Sequence, residues 1–220
     1  IDFIMVFGNS LSAGTPTDGT VTAAKLNDDI ISGQTALASE PADTDEFLVS
    51  DAGTLKRIDY SLIKGGGITM VDQWRVTANI TANTNPISSN LERVDTSGQG
   101  ILGTGMSVSS GVFTFPSTGI YLVQFNAMGT TDSNGDNIGM DLQVTTNNSS
   151  YTTVATNYDG NQGNRGLSLF GQSFIDVTDT SNVKVSFAVE SIDSGSYLFG
   201  DTTGTTQNET YFTFIRLGDT

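Results

Sequence analysis

Beyond residue 70, apolar residues recur at every second position in short runs, and nowhere at the spacing of a long amphipathic helix. Val183, Val185, Phe187 and Val189 alternate with Lys184 and Ser186, the pattern of a strand with one dry face. Similar runs predict strands at Gln73–Ile80, Leu91–Asp95, Val112–Phe115, Gly119–Met128, Met140–Thr145, Leu167–Val177, Asn182–Glu190 and Thr210–Leu217. Turn-forming residues separate them, notably Ser133-Asn134-Gly135-Asp136 and Asp159-Gly160-Asn161. The spacing is that of an all-β sandwich.

The N-terminal third is patterned differently. Ile1 to Gln34 opens on an apolar strand, followed by the turn-rich Gly14–Gly19 and a short amphipathic run that favours helix only between Thr22 and Ile31. Glu46–Ser50 and Leu55–Tyr60 flank Asp51-Ala52-Gly53-Thr54, which reads as a β-hairpin. Gly65-Gly66-Gly67 is then a flexible hinge and the expected boundary. The predicted organisation is an extended connector (1–34), a hairpin module with its hinge (35–67) and a sandwich (68–220). Segments of some thirty residues bury too little apolar surface to offset chain entropy, so the first two need partners.

Two predicted strands break the one-face rule. Between Gly119 and Met128, Tyr121, Val123, Phe125 and Ala127 share one face, while Ile120, Leu122 and Met128 share the other. In the last strand, Tyr211, Ile215 and Leu217 oppose Phe212 and Phe214. A two-layer sandwich has one interior, so the second apolar face needs a cover, either loops of the same chain or an identical subunit. The expected subunit contacts are Ile120, Leu122, Tyr211, Phe212, Phe214 and Ile215.

The composition narrows the partners. Hydrophobic residues make up 36% of 220 residues, with 12 Phe and 6 Tyr, enough for a core. The net charge is −15, and only Lys56 and Arg57 are adjacent cations, so the clustered bases that hold nucleic acid are missing. Cysteine is absent, which removes disulfides and thiol chemistry and points toward a bacterial or viral origin. No apolar run is long enough to insert in a membrane as a helix, and a chain opening on Ile1 reads as the C-terminal piece of something longer.

Two stretches resemble known families. Gly111-Val112-Phe113-Thr114-Phe115-Pro116-Ser117-Thr118-Gly119-Ile120-Tyr121 resembles the paired strands of the TNF-like and complement-globular-head-like superfamily, and Tyr211–Gly218 resembles its last strand. That resemblance spans most of Val71 to Thr220 and implies a ten-stranded jelly roll assembled as a homotrimer. Ile4–Gly8, Gly14–Val21 and Ala24–Asp29 resemble the connector that follows the attachment domain of podovirus-type tail fibres, and Ala42–Asp51 resembles a small module of phage fibre proteins. They imply a virion protein.

Catalysis is not expected. Histidine is absent, which removes Ser-His and Cys-His nucleophiles, and no carboxylate pair stands out among the acids. No cofactor is expected. Asp132-Ser133-Asn134-Gly135-Asp136 begins like a Ca²⁺ loop, but Asn137 and Gln143 occupy the positions of its glycine and bidentate glutamate. A polar turn is the better reading, with Ca²⁺ held by carboxylates on a trimer axis a looser alternative. Recognition is expected in loops that mix aromatic rings with amide and guanidinium donors, at Tyr151, Tyr158, Asn161, Arg165 and Tyr197.

These readings converge on a virion fibre of a tailed phage. It would be homotrimeric, joined to other virion proteins through its N-terminal segment, with a head that binds a host-surface glycan or protein. A non-receptor structural or decoration protein is the alternative, and a bacterial surface or secreted TNF-like binding module a further one.

Overall fold

The computed structural model describes residues 16, 20–21, 25–64, 66–132, 134–162, 166–204 and 206–220. The chain divides into two compact units, Ile1–Lys64 and Gly65–Thr220. The apolar strand expected at the N-terminus, and most of the turn after it, lie outside the described residues.

In the first unit, helix α1 is a single turn, Asp29–Ser32, shorter than the Thr22–Ile31 stretch predicted. The hairpin forms from β1 (Glu46–Asp51) and β2 (Thr54–Asp59), in the register Phe47↔Ile58 and Val49↔Lys56. Its loop is the two residues Ala52 and Gly53, both at positive φ, the backbone twist that matches a two-residue hairpin. Ion pairs Arg57–Glu46 and Lys56–Asp51 tie its strands across exposed surface. Among the described residues before Gly65, none is buried, and Leu48, Leu55 and Leu62 are 70% or more exposed.

The second unit is a sandwich of two antiparallel sheets. One contains β3 (Met70–Val76), β4 (Leu91–Arg93), β7 (Gly119–Thr130), β10 (Gly166–Val177), the two-residue β12 (Tyr197–Leu198) and β13 (Tyr211–Gly218). Its order is β10-β7-β13-β3-β4, with β12 paired to β7. The other contains β5 (Ser107–Ser109), β6 (Val112–Thr114), β8 (Asn134–Thr145), β9 (Thr152–Gln162) and β11 (Lys184–Glu190), ordered β5-β6-β11-β8-β9. Five of the neighbouring pairs in these orders join strands that are not consecutive in sequence, β10-β7, β7-β13, β13-β3, β6-β11 and β11-β8, as Greek-key windings require.

The core lies between the sheets and is aromatic. Phe113 of β6 meets Trp74, Phe187, Phe212 and Phe214 at ring-centre distances of 5.1 to 5.9 Å. Phe187 and Phe212 stack across the layers at 3.9 Å, 9° from parallel. Strict alternation delivers these rings inward, as in β7, where Tyr121, Val123, Phe125 and Ala127 are buried in turn.

Two ion pairs, each with one member fully buried and the other partly exposed, fix β3. Asp72, fully buried, accepts from Trp74 Nε1 (3.0 Å), the Met106 amide (2.7 Å) and Arg93 Nε (3.2 Å). Arg93 also lies over the Trp74 ring, 4.9 Å from its centre. Arg75, on the opposite face of β3, donates to Glu92 (2.9 Å) and Thr96 (2.7 Å). A buried charge must be paired and hydrogen-bonded to persist, and both are.

Strand β9 corrects the sequence reading, which treats its residues as turns and loops. Thr152 to Gln162 carries few large apolar residues, so no alternation marks it. Its backbone ladder to β8 holds it instead, in the register Tyr158↔Gly139 and Ala155↔Leu142.

Candidate functional site

The outer face of the β10-β7-β13-β3 sheet is the first candidate. Because side chains alternate, register places its residues in rows across the strands. Phe174, Leu122, Ile215 and Val71 form one row, each the direct partner of the next. The next is polar, Gln172, Gln124, Thr213 and Gln73, and the third is Phe170, Asn126, Tyr211 and Arg75. Ile120 and Met128 extend the apolar surface toward the two ends of β7.

The polar row is internally bonded. Gln124 Nε2 donates to Gln172 (2.8 Å), Gln73 Nε2 to Thr213 (2.8 Å), and Asn208 to Gln73 (2.6 Å). These lateral bonds lower the cost of covering the row, because fewer of its polar groups are left unpaired. Phe174 is 66% exposed, Met128 49% and Phe170 46%. Among the outward positions of β7, β10 and β13, only Asp176 carries a charge.

Four of the expected contact residues, Ile120, Leu122, Tyr211 and Ile215, stand on this face, half-buried. Phe212 and Phe214 do not. Both have 0% exposure and fill the space between the sheets against Phe113, so they cannot meet another subunit. The last strand has two apolar faces, and the larger rings went to the interior. The sequence reading missed Phe170 and Phe174. Their signal was present, since both sit at the opposite parity to Leu167, Leu169, Ile175 and Val177.

Of the five residues expected in recognition loops, the three with described side chains, Tyr151, Tyr158 and Tyr197, do not converge on one site. Tyr197 is in strand β12, paired to Thr130, with its ring 5.5 Å from that of Phe199. Tyr158 is in β9, not a loop, and its ring lies over Gly139, where a Cβ would come within 2.3 Å of it. Its hydroxyl donates to Glu190 across β8. Asn161 belongs to β9 with its side chain outside the described residues, and Arg165 is wholly outside them.

Tyr151 alone borders a defined depression. It stands after the β8–β9 turn, which Asn147 organises by accepting from the Ser149 and Ser150 amides through one oxygen (3.0 and 2.9 Å). With Asn85, Pro86, Val112, Gln143 and Ser186 it lines a cleft of about 370 Å³ on the outer side of the second sheet. Burial pushes the Tyr151 hydroxyl above its usual pKa.

Among the described residues no three His, Cys, Asp or Glu side chains gather as a metal site. The Asp132 amide donates to Ser196 Oγ (3.0 Å), which donates to Asp136 Oδ2 (3.3 Å), so this stretch is tied to the Ser196 loop.

No protein-family description matches the chain, and no curated protein matches its sequence. Solved structures match its fold. The crystal structure of murine APRIL at pH 5.0 superposes with a TM-score of 0.50 at 12% identity, covering 67% of this chain and 98% of that one. The second unit has a TNF-like jelly-roll fold. The structure of Eiger TNF from S. frugiperda gives a TM-score of 0.48 at 13% identity, covering 70% of this chain and 96% of the other. Within the jelly roll, the apolar outer face and the Tyr151 cleft lie on the outer sides of opposite sheets.

Proposed function

We propose that the chain is part of a homotrimeric virion fibre of a tailed phage. Its jelly roll is the head that docks on the host surface, and its N-terminal segment joins the other virion proteins. The observation that carries the assembly is the outer face of β10, β7 and β13. On a chain of net charge −15, that face has one carboxylate and six exposed or half-exposed apolar side chains, Ile120, Leu122, Met128, Phe170, Phe174 and Ile215. Completing the burial of each contributes on the order of 1 kcal/mol, and no charge at the outward positions of β7 or β13 opposes it. The first unit, with no buried residue among those described, also gains from identical copies beside it. Three copies is the number implied by the resemblance to the TNF-like superfamily, and the virion assignment rests on the resemblance of the N-terminal third to phage fibres.

Sedimentation of the full chain and decoration of a panel of bacterial strains by the labelled protein test this reading. A trimer that decorates a subset of strains is expected. A stable monomer at micromolar concentration overturns the assembly, and a trimer that decorates no strain overturns the docking role.

A further inference from the structure

The cleft beside Tyr151 has the chemistry of a site rather than of a surface irregularity. Its floor is the register pair Ser186 and Gln143 of β11 and β8. Ser186 is 98% buried, yet its hydroxyl reaches only Gln143 Oε1, at 3.5 Å, the limit of a hydrogen bond. The amide nitrogens of Gln143 and Asn85 and the hydroxyl of Tyr151 have no partner among the described residues. The weakly bonded Ser186 hydroxyl has lone pairs free to accept, and the amide and phenol donors around it have no acceptor, so the cleft can bond a ligand in both directions.

The walls supply the other half. Pro86 and Val112 present apolar surface, and the Tyr151 ring stands half-buried at the rim. No lining residue carries a charge, in a chain with 24 carboxylates. One register row away on the same sheet face, Asp141 is 9% exposed. Thr153 bonds one of its oxygens at 3.2 Å, and the other has no partner. The volume falls within the range of small-molecule sites, roughly 300–1,000 Å³.

We propose that this cleft binds a neutral sugar unit, with the Tyr151 ring against the sugar face and Gln143, Asn85 and Ser186 bonding its hydroxyls. Sugars pair an apolar ring face with a rim of hydroxyls that both donate and accept, which is the mixture the cleft offers. Anionic sugars are disfavoured, because the cleft has no cation and the chain's field is negative. The site rests on the docking role proposed above and deepens it. It lies on the sheet opposite the association face, so assembly leaves it open and three copies act together.

The test is binding of the full chain to an array of neutral, sialylated and sulphated glycans, with the assembly state of every variant measured by sedimentation. Retention of neutral glycans is expected, weakened roughly tenfold or more by Tyr151→Ala and by Gln143→Ala and less by Tyr151→Phe, all with the trimer mass unchanged. Unchanged retention in both alanine variants overturns the site, as does retention of anionic glycans alone. A trimer that decorates cells but retains no neutral glycan overturns the sugar site and leaves the docking role standing. A chain that decorates no strain and retains no glycan overturns both.

Discussion

Leu122 and Ile215 are direct register partners across β7 and β13, and both point away from the core. Their neighbours Tyr121, Val123 and Phe214 are all fully buried, so strand parity alone puts this pair outside. Phe174 and Val71 flank it, making a four-strand apolar row with no charge in it.

Leu122→Glu places a carboxylate in the middle of that row. A single sandwich tolerates it, since the side chain can reach water, but three copies would bury like charges together. The variant is expected to sediment as a folded monomer with unchanged near-ultraviolet circular dichroism. Retention of the trimer would show that this face is not the contact.

Phe212→Ala acts on a different quantity. Phe212 stacks on Phe187 inside the sandwich, and truncating a buried Phe typically costs 3–5 kcal/mol through lost contact and a residual cavity. Denaturant unfolding should shift by about that amount. The protein that remains folded should keep its assembly state, because Phe212 touches no outer surface.

Asp72→Asn breaks the pair with Arg93 while keeping the shape. Because Arg93 is partly exposed and can reach water, the loss is expected below the roughly 3–5 kcal/mol of a fully buried pair, at about 1–3 kcal/mol. Asp72→Asn with Arg93→Met removes both charges and should recover much of the loss. A double variant no more stable than the single one would show that the hydrogen bonds to Trp74 and Met106, rather than the ion pair, carry the effect.

Asp201 organises the loop that follows it. Its carboxylate accepts from the amides of Thr203 (3.0 Å), Gly204 (3.3 Å) and Gln207 (2.8 Å), and from Thr206, which hold its pKa far below the usual carboxylate range. A depressed folded-state pKa means that the contribution to stability is complete above the unfolded value, about 3.9. It fades as pH falls from there toward the folded value. In an NMR titration, the Thr206 and Gln207 amides should hold their shifts until exposed carboxylates have protonated. Early movement, together with those carboxylates, would contradict the role.

The sequence by itself determined what depends on neighbours along the chain. Strict alternation marks β11, dense apolar runs with two opposed faces mark β7 and β13, the Ala52-Gly53 turn marks the hairpin, and the missing histidines and cysteines rule out whole classes of chemistry. Parity also divided β13 into two apolar faces. It did not say which face was interior, because that depends on the opposite sheet, where Phe113 and Phe187 leave a space that Phe212 and Phe214 fill. Strand β9 was illegible for a related reason: its partner's backbone holds it, and a hydrogen-bond ladder leaves little trace in side-chain pattern. The tertiary structure alone made the Tyr151 cleft. Asn85, Val112, Gln143 and Ser186 lie far apart in the chain, and no local periodicity encodes that strands β6, β11 and β8 lie side by side.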